Sequence, residues 1–245
     1  MNVVMIGATR GMGRALARQL AARGDQIFLL GRDVDDLERS GADLVARAGR
    51  PIVAGLYRCD LAESHGFAAA LAAAAAAMGK IDVVVVSAGL FAPAAALEAD
   101  LALCERMLTV NFTGTLLFCE VARPYLLDGG GTLVVFSSVA GERGRKPVGL
   151  YGASKAGLSL YLESLDHRFS ASGLAVVTVK PGFVRTAMTA GLPEPPFAGE
   201  PDDVASRVVR AIDRGTPVVY APAIWRLVMW VIRLLPRFVM RRIGF

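Results

Sequence analysis

The chain has 245 residues, 54% apolar and 20% charged, which excludes a disordered or collagen-like chain and leaves a globular protein with a large core. Of its 27 lysines and arginines, five lie at or beyond Arg226, leaving 22 to meet 22 acids. The body is therefore neutral, which argues against a nucleic-acid partner and assigns the net charge of +5 to a tail suited to an anionic surface.

The chain opens Met1-Asn2 and enters a strand at once, so no signal peptide is expected. Strands are predicted over residues 2–6, 26–30, 52–57, 81–86, 132–137, 174–180 and 217–220. They are rich in Val, Ile and Leu without strict alternation, as strands buried on both faces are. Helices are predicted between them, over 13–22, 34–48, 64–78, 100–127, 153–171 and 201–214. The alanine-rich run 68–77 reads as plain helix, because alanine is the best helix former. The repeated β-α unit predicts an α/β fold: a doubly wound (Rossmann) seven-stranded parallel sheet with helices on both faces. The series is unbroken, so one catalytic domain is expected over 1–221, followed by a helical tail over 222–245. Cys59, Cys104 and Cys119 are far apart and lack metal spacing. They are expected to be reduced thiols of a cytoplasmic protein, and no metal site is expected.

After the first strand comes Gly7-Ala8-Thr9-Arg10-Gly11-Met12-Gly13, then a helix. Glycines there allow a tight turn and let a pyrophosphate approach the backbone, facing the free N–H groups of the helix N-terminus. The other reading is a purely structural turn. The second strand ends Leu30-Gly31-Arg32-Asp33. Two guanidinium groups, Arg10 and Arg32, suit a ribose 2′-phosphate, so NADP(H) is expected to be preferred. NAD(H) is the alternative, because Asp33 is close enough to hold a ribose hydroxyl.

Tyr151 and Lys155 are spaced by four at the start of a helix, which puts them on one helix face. A nearby ammonium favours tyrosinate, so the Tyr151 pKa is expected to be lowered. Ser138 ends a strand thirteen residues earlier and is placed to hydrogen-bond a carbonyl. Asn111 lies within a long helical stretch.

The glycine loop, Asp60-Leu61, Ser87-Ala88-Gly89, Asn111, Ser137-Ser138, Tyr151–Lys155 and Pro181-Gly182 occur in an order and spacing that resemble the short-chain dehydrogenase/reductase family over nearly the whole chain. The resemblance implies an NAD(P)H-dependent oxidoreductase that moves a hydride between a carbonyl and an alcohol. It implies that Tyr151 is the proton donor or acceptor, Ser138 orients the carbonyl, Lys155 holds the ribose and tunes Tyr151, and Asn111 positions a water. Asp60 and Leu61 would meet the adenine, and Thr186 the nicotinamide carboxamide. Thr9, Met12, Pro181, Gly182 and Val184 complete the implied cofactor shell. Two positions depart from the family's pattern: Ile6 stands where Thr is usual, and Ser87 where Asn is usual. Both would support the cofactor cradle without doing chemistry. The resemblance also implies a homodimer or homotetramer, paired through the helices over 100–127 and 153–171.

The loop between Ser138 and Tyr151 carries Arg143, Arg145 and Lys146, which suit a substrate phosphate. Residues 187–201 are expected to form a substrate lid. In the tail, Arg226, Arg233, Arg237 and Arg241 would make a cationic stripe on an apolar helix with Trp225 and Trp230. The charge-free run is too short for a membrane span, and Pro236 is expected to kink or end the helix. A helix lying in a membrane interface fits; a subunit contact is the other reading. These loops and the tail resemble the decaprenylphosphoryl keto-erythropentose reductases, which implies a lipid-linked keto-sugar substrate and peripheral contact with the inner face of the cell membrane. Alternatives are a reductase of another amphiphilic ketone and a non-catalytic NADP-binding regulator.

Overall fold

The computed structural model describes residues 1–243. Seven strands form one sheet: β1 (Asn2–Ile6), β2 (Gln26–Gly31), β3 (Val53–Arg58), β4 (Val83–Val86), β5 (Gly131–Phe136), β6 (Leu174–Pro181) and β7 (Val218–Ala221). Their order is β3-β2-β1-β4-β5-β6-β7, and every neighbouring pair is parallel. The expected doubly wound sheet is the observed one. Its strands do not alternate in polarity because both faces are buried: Val3 and Met5 of β1 enter one core, Val4 and Ile6 the other.

The first core is covered by α1 (Gly11–Arg23), α2 (Val34–Ala48) and α8 (Pro201–Arg214). The second is covered by α3 (Phe67–Met78), α6 (Thr115–Leu127) and α7 (Gly149–Phe169). Chain order reverses between β1 and β4, which pair in register from Val3↔Val83 to Ile6↔Val86. A sheet of this kind opens a crevice at the carboxyl ends of those two strands.

The predicted helix over 100–127 is not continuous. A short α4 (Ala94–Ala99) precedes it, α5 (Leu101–Leu108) and α6 flank it, and Thr109–Gly114 between them is wound as a wider π turn. The Thr115 hydroxyl donates to the Val110 carbonyl at 2.8 Å, taking up a backbone acceptor in the widened turn. Gly114 lets this segment lie against Leu61: a Cβ there would sit 1.8 Å from the Leu61 oxygen.

The tail is a layer on the body. Helix α9 (Ile224–Leu234) buries Trp225, Met229 and Ile232 in a third small core with Val139. At about 1.5–3 kcal/mol per fully buried large side chain, this face alone contributes several kcal/mol to docking. Leu235 is extended, as the residue before Pro236 must be, and α10 (Arg237–Arg242) starts afresh. The single stripe of four arginines is therefore split, with Arg226 and Arg233 on α9 and Arg237 and Arg241 on α10. Trp225 is also corrected: it is 8% exposed and faces the body, whereas Trp230 is 55% exposed. No helix among the described residues is long and apolar enough to cross a membrane.

Candidate active site

A cavity of about 580 Å³ opens at the β1–β4 crevice. It is lined by Gly7, Thr9, Arg10, Gly11, Met12 and Gly13 from the loop after β1, and by Ser87, Ala88 and Gly89 after β4. Arg32, Asp60, Leu61 and Thr186 complete the expected lining. Glycine is required twice. Gly7 has φ +99°, and a Cβ on it would lie 2.4 Å from the Ala88 nitrogen. A Cβ on Gly13 would lie 2.1 Å from the Gly7 oxygen. The Ser87 hydroxyl donates to the Ile6 and Gly7 carbonyls, both at 3.2 Å, so serine braces the loop at the position where the family pattern has asparagine. The loop backbone and the N-terminus of α1 thus form a cradle for an anion that any side chain at Gly7 or Gly13 would obstruct.

At the far end of the cavity the charges are partly committed. Arg10 pairs with Asp36 at 3.0 Å, and Arg39 meets the same carboxylate at 2.7 Å. These two guanidinium groups hold the Asp36 carboxyl below its usual range, Arg39 first. Asp33 accepts from the Asp36 N–H at 3.0 Å as the N-cap of α2, so its carboxylate is already engaged. Arg32 is exposed and makes no hydrogen bond or ion pair among the described residues. Asp60 caps its own turn by accepting from the Ala62 N–H at 3.0 Å. Sequence reasoning missed Asp36, Phe91 and Arg106 in this lining, whereas Met188 comes from the segment expected to form a lid. None of the three lies in a motif; α2, the segment after β4 and α5 bring them in.

Tyr151, Lys155, Ser138 and Asn111 come together beside this cavity without lining it. Helix α7 seats closely on the loop after β5, because Gly141 and Gly152 have no side chains there: a Cβ on Gly141 would meet the Ala156 nitrogen at 2.6 Å, and one on Gly152 the Ala140 oxygen at 2.8 Å. The Ser138 hydroxyl accepts from the Ala140 N–H at 3.1 Å and donates to the Pro181 carbonyl at 3.5 Å. Phe91, which lines the cavity, meets the Tyr151 ring edge-on at 5.2 Å. Lys155 donates from Nζ to the Phe136 carbonyl at 2.8 Å and lies 5.9 Å from the Tyr151 ring centre. Burial pulls its pKa down to about 8. The expected lowering of the Tyr151 pKa is not what this geometry produces: burial pushes the phenol up, and the Ser138 hydroxyl opposes this only in part. The Lys155 ammonium is committed to the Phe136 carbonyl and does not reverse it.

Asn111 is fully buried in the π turn. Its side chain accepts from the Leu90 N–H at 2.7 Å and donates to the Leu90 carbonyl at 2.6 Å. The amide therefore clamps the segment after Gly89, where a Cβ would lie 3.3 Å from Asn111 Oδ1 and 3.7 Å from Lys155 Nζ. π turns of this kind recur at functional sites.

Pro181, Gly182 and Val184 stand behind the site and not in the cavity lining. Gly182 is needed where the Trp225 indole crosses the chain: a Cβ there would lie 2.1 Å from Trp225 Nε1. Val184 is 2% exposed, and its carbonyl accepts from the Thr189 hydroxyl at 2.7 Å. Thr186 reaches over Gly11. The segment expected to be a lid is strapped down, with Arg185 paired to both Glu194 and Glu200. Trp225 Nε1 donates to the Phe197 carbonyl at 3.2 Å. Of the cationic loop, Arg143 is committed elsewhere, donating to the Leu235 carbonyl at the end of α9 at 2.6 Å. Glu142, buried beside it, accepts from Lys180 at 2.8 Å and from the Tyr220 hydroxyl.

The family profile described as short chain dehydrogenase matches residues 1–196. An uncharacterized oxidoreductase of Mycobacterium tuberculosis is 34% identical over 241 residues, covering 98% of this chain and 96% of that protein. Cis-4-hydroxycyclohexanecarboxylate dehydrogenase of Sinomonas cyclohexanicum is 37% identical over 194 residues, covering 78% of this chain and 76% of that protein. A solved short-chain type dehydrogenase/reductase from Mycobacterium ulcerans superposes with a TM-score of 0.80 at 24% identity, over 89% of this chain and 86% of that one, and shows the same fold. The chain belongs to the short-chain dehydrogenase/reductase family. It is an NAD(P)-dependent oxidoreductase.

Proposed function

We propose that the protein is an NADP(H)-preferring reductase of a ring ketone carried on a lipid, with Tyr151 as proton donor. The observation that carries this reading is the convergence of buried Lys155, Ser138 and Asn111 with Tyr151, whose ring packs on Phe91 of the cofactor cavity. A bound nicotinamide dinucleotide supplies the hydride. The loop Gly7–Gly13 and the α1 N-terminus would hold its pyrophosphate, Asp60 and Leu61 its adenine, and Thr186 its carboxamide. Lys155 binds the ribose, while Ser138 orients the carbonyl oxygen against the phenol. Tyr151 donates its proton to that oxygen. The raised phenol pKa keeps this proton in place until the carbonyl becomes an alkoxide. Asn111 holds the floor of the site through Leu90.

Three observations support the finer parts of the reading. Asp33 is engaged as a helix cap and Arg32 is unpaired, which favours a 2′-phosphate over a bare ribose. The Sinomonas relative is named for a secondary alcohol on a ring, the group a keto sugar would yield on reduction. Leu227, Trp230, Leu234 and Phe238 on α9 and α10 are each more than half exposed, as an interfacial helix presents them to lipid. In this reading residues 1–221 are the catalytic body, and the helices over 224–242 face the cytoplasmic side of a membrane. The protein pairs as a homodimer or homotetramer through α6 and α7, where Leu117 and Leu160 are 44% and 67% exposed.

NADPH oxidation measured with a soluble ring ketone, and with the same ketone linked to a polyprenyl phosphate in anionic vesicles, tests the substrate class. The lipid-linked ketone should be reduced with kcat/KM at least about tenfold higher, since remote apolar contacts contribute binding energy to the reacting centre. Equal values for both would remove the lipid from the proposal.

A further inference from the structure

Ser138 is followed at once by a single tight turn, Val139–Glu142, whose last residue is a buried acid. The Glu142 side chain is 4% exposed, so its carboxylate has almost no water around it. One oxygen, Oε1, accepts from Lys180 Nζ at 2.8 Å and from the Tyr220 hydroxyl. The other, Oε2, is buried with no hydrogen-bond partner among the described residues. Lys180 on β6 and Tyr220 on β7 are register partners, and the Lys180 ammonium lies 5.7 Å from the centre of the Tyr220 ring. Glu142 therefore joins three segments: the turn after β5 and the carboxyl ends of two neighbouring strands.

A buried carboxylate with one oxygen unsatisfied is costly to keep. Replacing a buried ion pair by apolar side chains is often neutral for stability, so packing alone does not account for this one. What the pair adds is a fixed register between the segments it joins, and the register concerns Ser138. Lys180 precedes Pro181, whose carbonyl accepts from the Ser138 hydroxyl at 3.5 Å. Within the turn, the Ala140 N–H donates to that hydroxyl and the Gly141 N–H to the Ser138 carbonyl, each at 3.1 Å. Gly141 also seats the turn on α7, where a Cβ would lie 2.6 Å from the Lys155 carbonyl carbon. Ser138 and Glu142 are thus the two ends of one turn, both fastened to the end of β6, and a shift of the turn would carry the hydroxyl with it.

We propose that Glu142 is a positioning residue: its ion pair with Lys180 sets where the Ser138 hydroxyl meets the substrate carbonyl oxygen. The inference rests on the reading of Ser138 as the group that orients the carbonyl. Glu142 does not line the cofactor cavity, so its effect on turnover passes through Ser138.

Amide hydrogen exchange and turnover are measured on wild type, Glu142→Gln, Ser138→Ala and the double variant. Glutamine keeps the size and an acceptor for Tyr220 while removing the charge that holds Lys180. Glu142→Gln should speed exchange at least about tenfold in peptides spanning 139–146 and leave peptides over 2–13 unchanged. NADPH affinity should stay at the wild-type value. In NADPH oxidation with cyclohexanone, a soluble ring ketone, it should lower kcat/KM about tenfold when Ser138 is present and less than about twofold once Ser138 is alanine, because no hydroxyl is left to position. Equal losses in both backgrounds make Glu142 a packing residue and overturn the proposal. Exchange that speeds throughout the chain, or nowhere, also overturns it. Should Glu142→Gln fail to fold, Tyr220→Phe removes the other donor to Oε1 and should give the same pattern with about a threefold loss. If wild-type protein oxidises no NADPH with cyclohexanone, the fault lies with the reading of the substrate, and the exchange pattern alone upholds or overturns the strap.

Discussion

Lys155 shows how burial sets the working range of a site. Its ammonium is buried on the Phe136 carbonyl, and its pKa falls to about 8. The folded value lies below the ordinary lysine value, so the native state loses this proton first as pH rises. Between about pH 8 and the ordinary lysine range the unfolded chain binds more protons, and Lys155 makes the fold more stable as pH rises through that window. Cofactor binding runs the other way, because the cation that holds the ribose disappears. NADPH affinity should therefore decline above about pH 8 in calorimetric titrations, and Lys155→Met should flatten that decline. An affinity constant to pH 9.5 would contradict it. Arg32 governs a separate choice. Removing an unpaired guanidinium that meets a phosphate forfeits about 1.5–3 kcal/mol, so Arg32→Ala should cut the NADPH-over-NADH preference by about tenfold or more. An unchanged ratio would mean that Arg10, despite its pairing with Asp36, carries the discrimination.

At the scale of elements, the sheet and its main helices were legible, because their periods are strong and both sheet faces are buried. Gly7 and Gly13 were legible as a cradle, since only glycine tolerates the contacts they make. Other features were not. The π turn around Asn111 arises from the approach of Gly114 to Leu61, a tertiary contact without a local signature. The raised Tyr151 pKa comes from burial, and spacing by four reveals neither that burial nor that the Lys155 ammonium turns to Phe136. The inward face of α9 depends on Val139 and Gly182, far away in sequence. This last contact makes α9 a buttress for both loops beside the active site. Trp225→Ala should lower stability by about 3–5 kcal/mol in denaturant unfolding. It should raise KM for the carbonyl substrate more than the Kd for NADPH. Equal changes in both would mean that the indole serves global packing and does not hold the substrate loops.

For the molecule as a whole, one sheet carries the cofactor crevice where β1 and β4 meet, with β7 at its edge. The exposed leucines of α6 and α7 lie on a third surface, which suits subunit pairing. Light scattering in mild detergent should report a dimer or tetramer, and Leu160→Glu should shift it towards monomer. A monomeric wild type would leave that surface unexplained. The central claim is that Tyr151 supplies the proton in an otherwise intact NADP(H) site. Its most direct test is single-turnover NADPH oxidation with a ring ketone by wild type and Tyr151→Phe. The variant should bind NADPH as wild type does and react about two to four orders of magnitude more slowly; a rate within a few-fold of wild type would contradict the account.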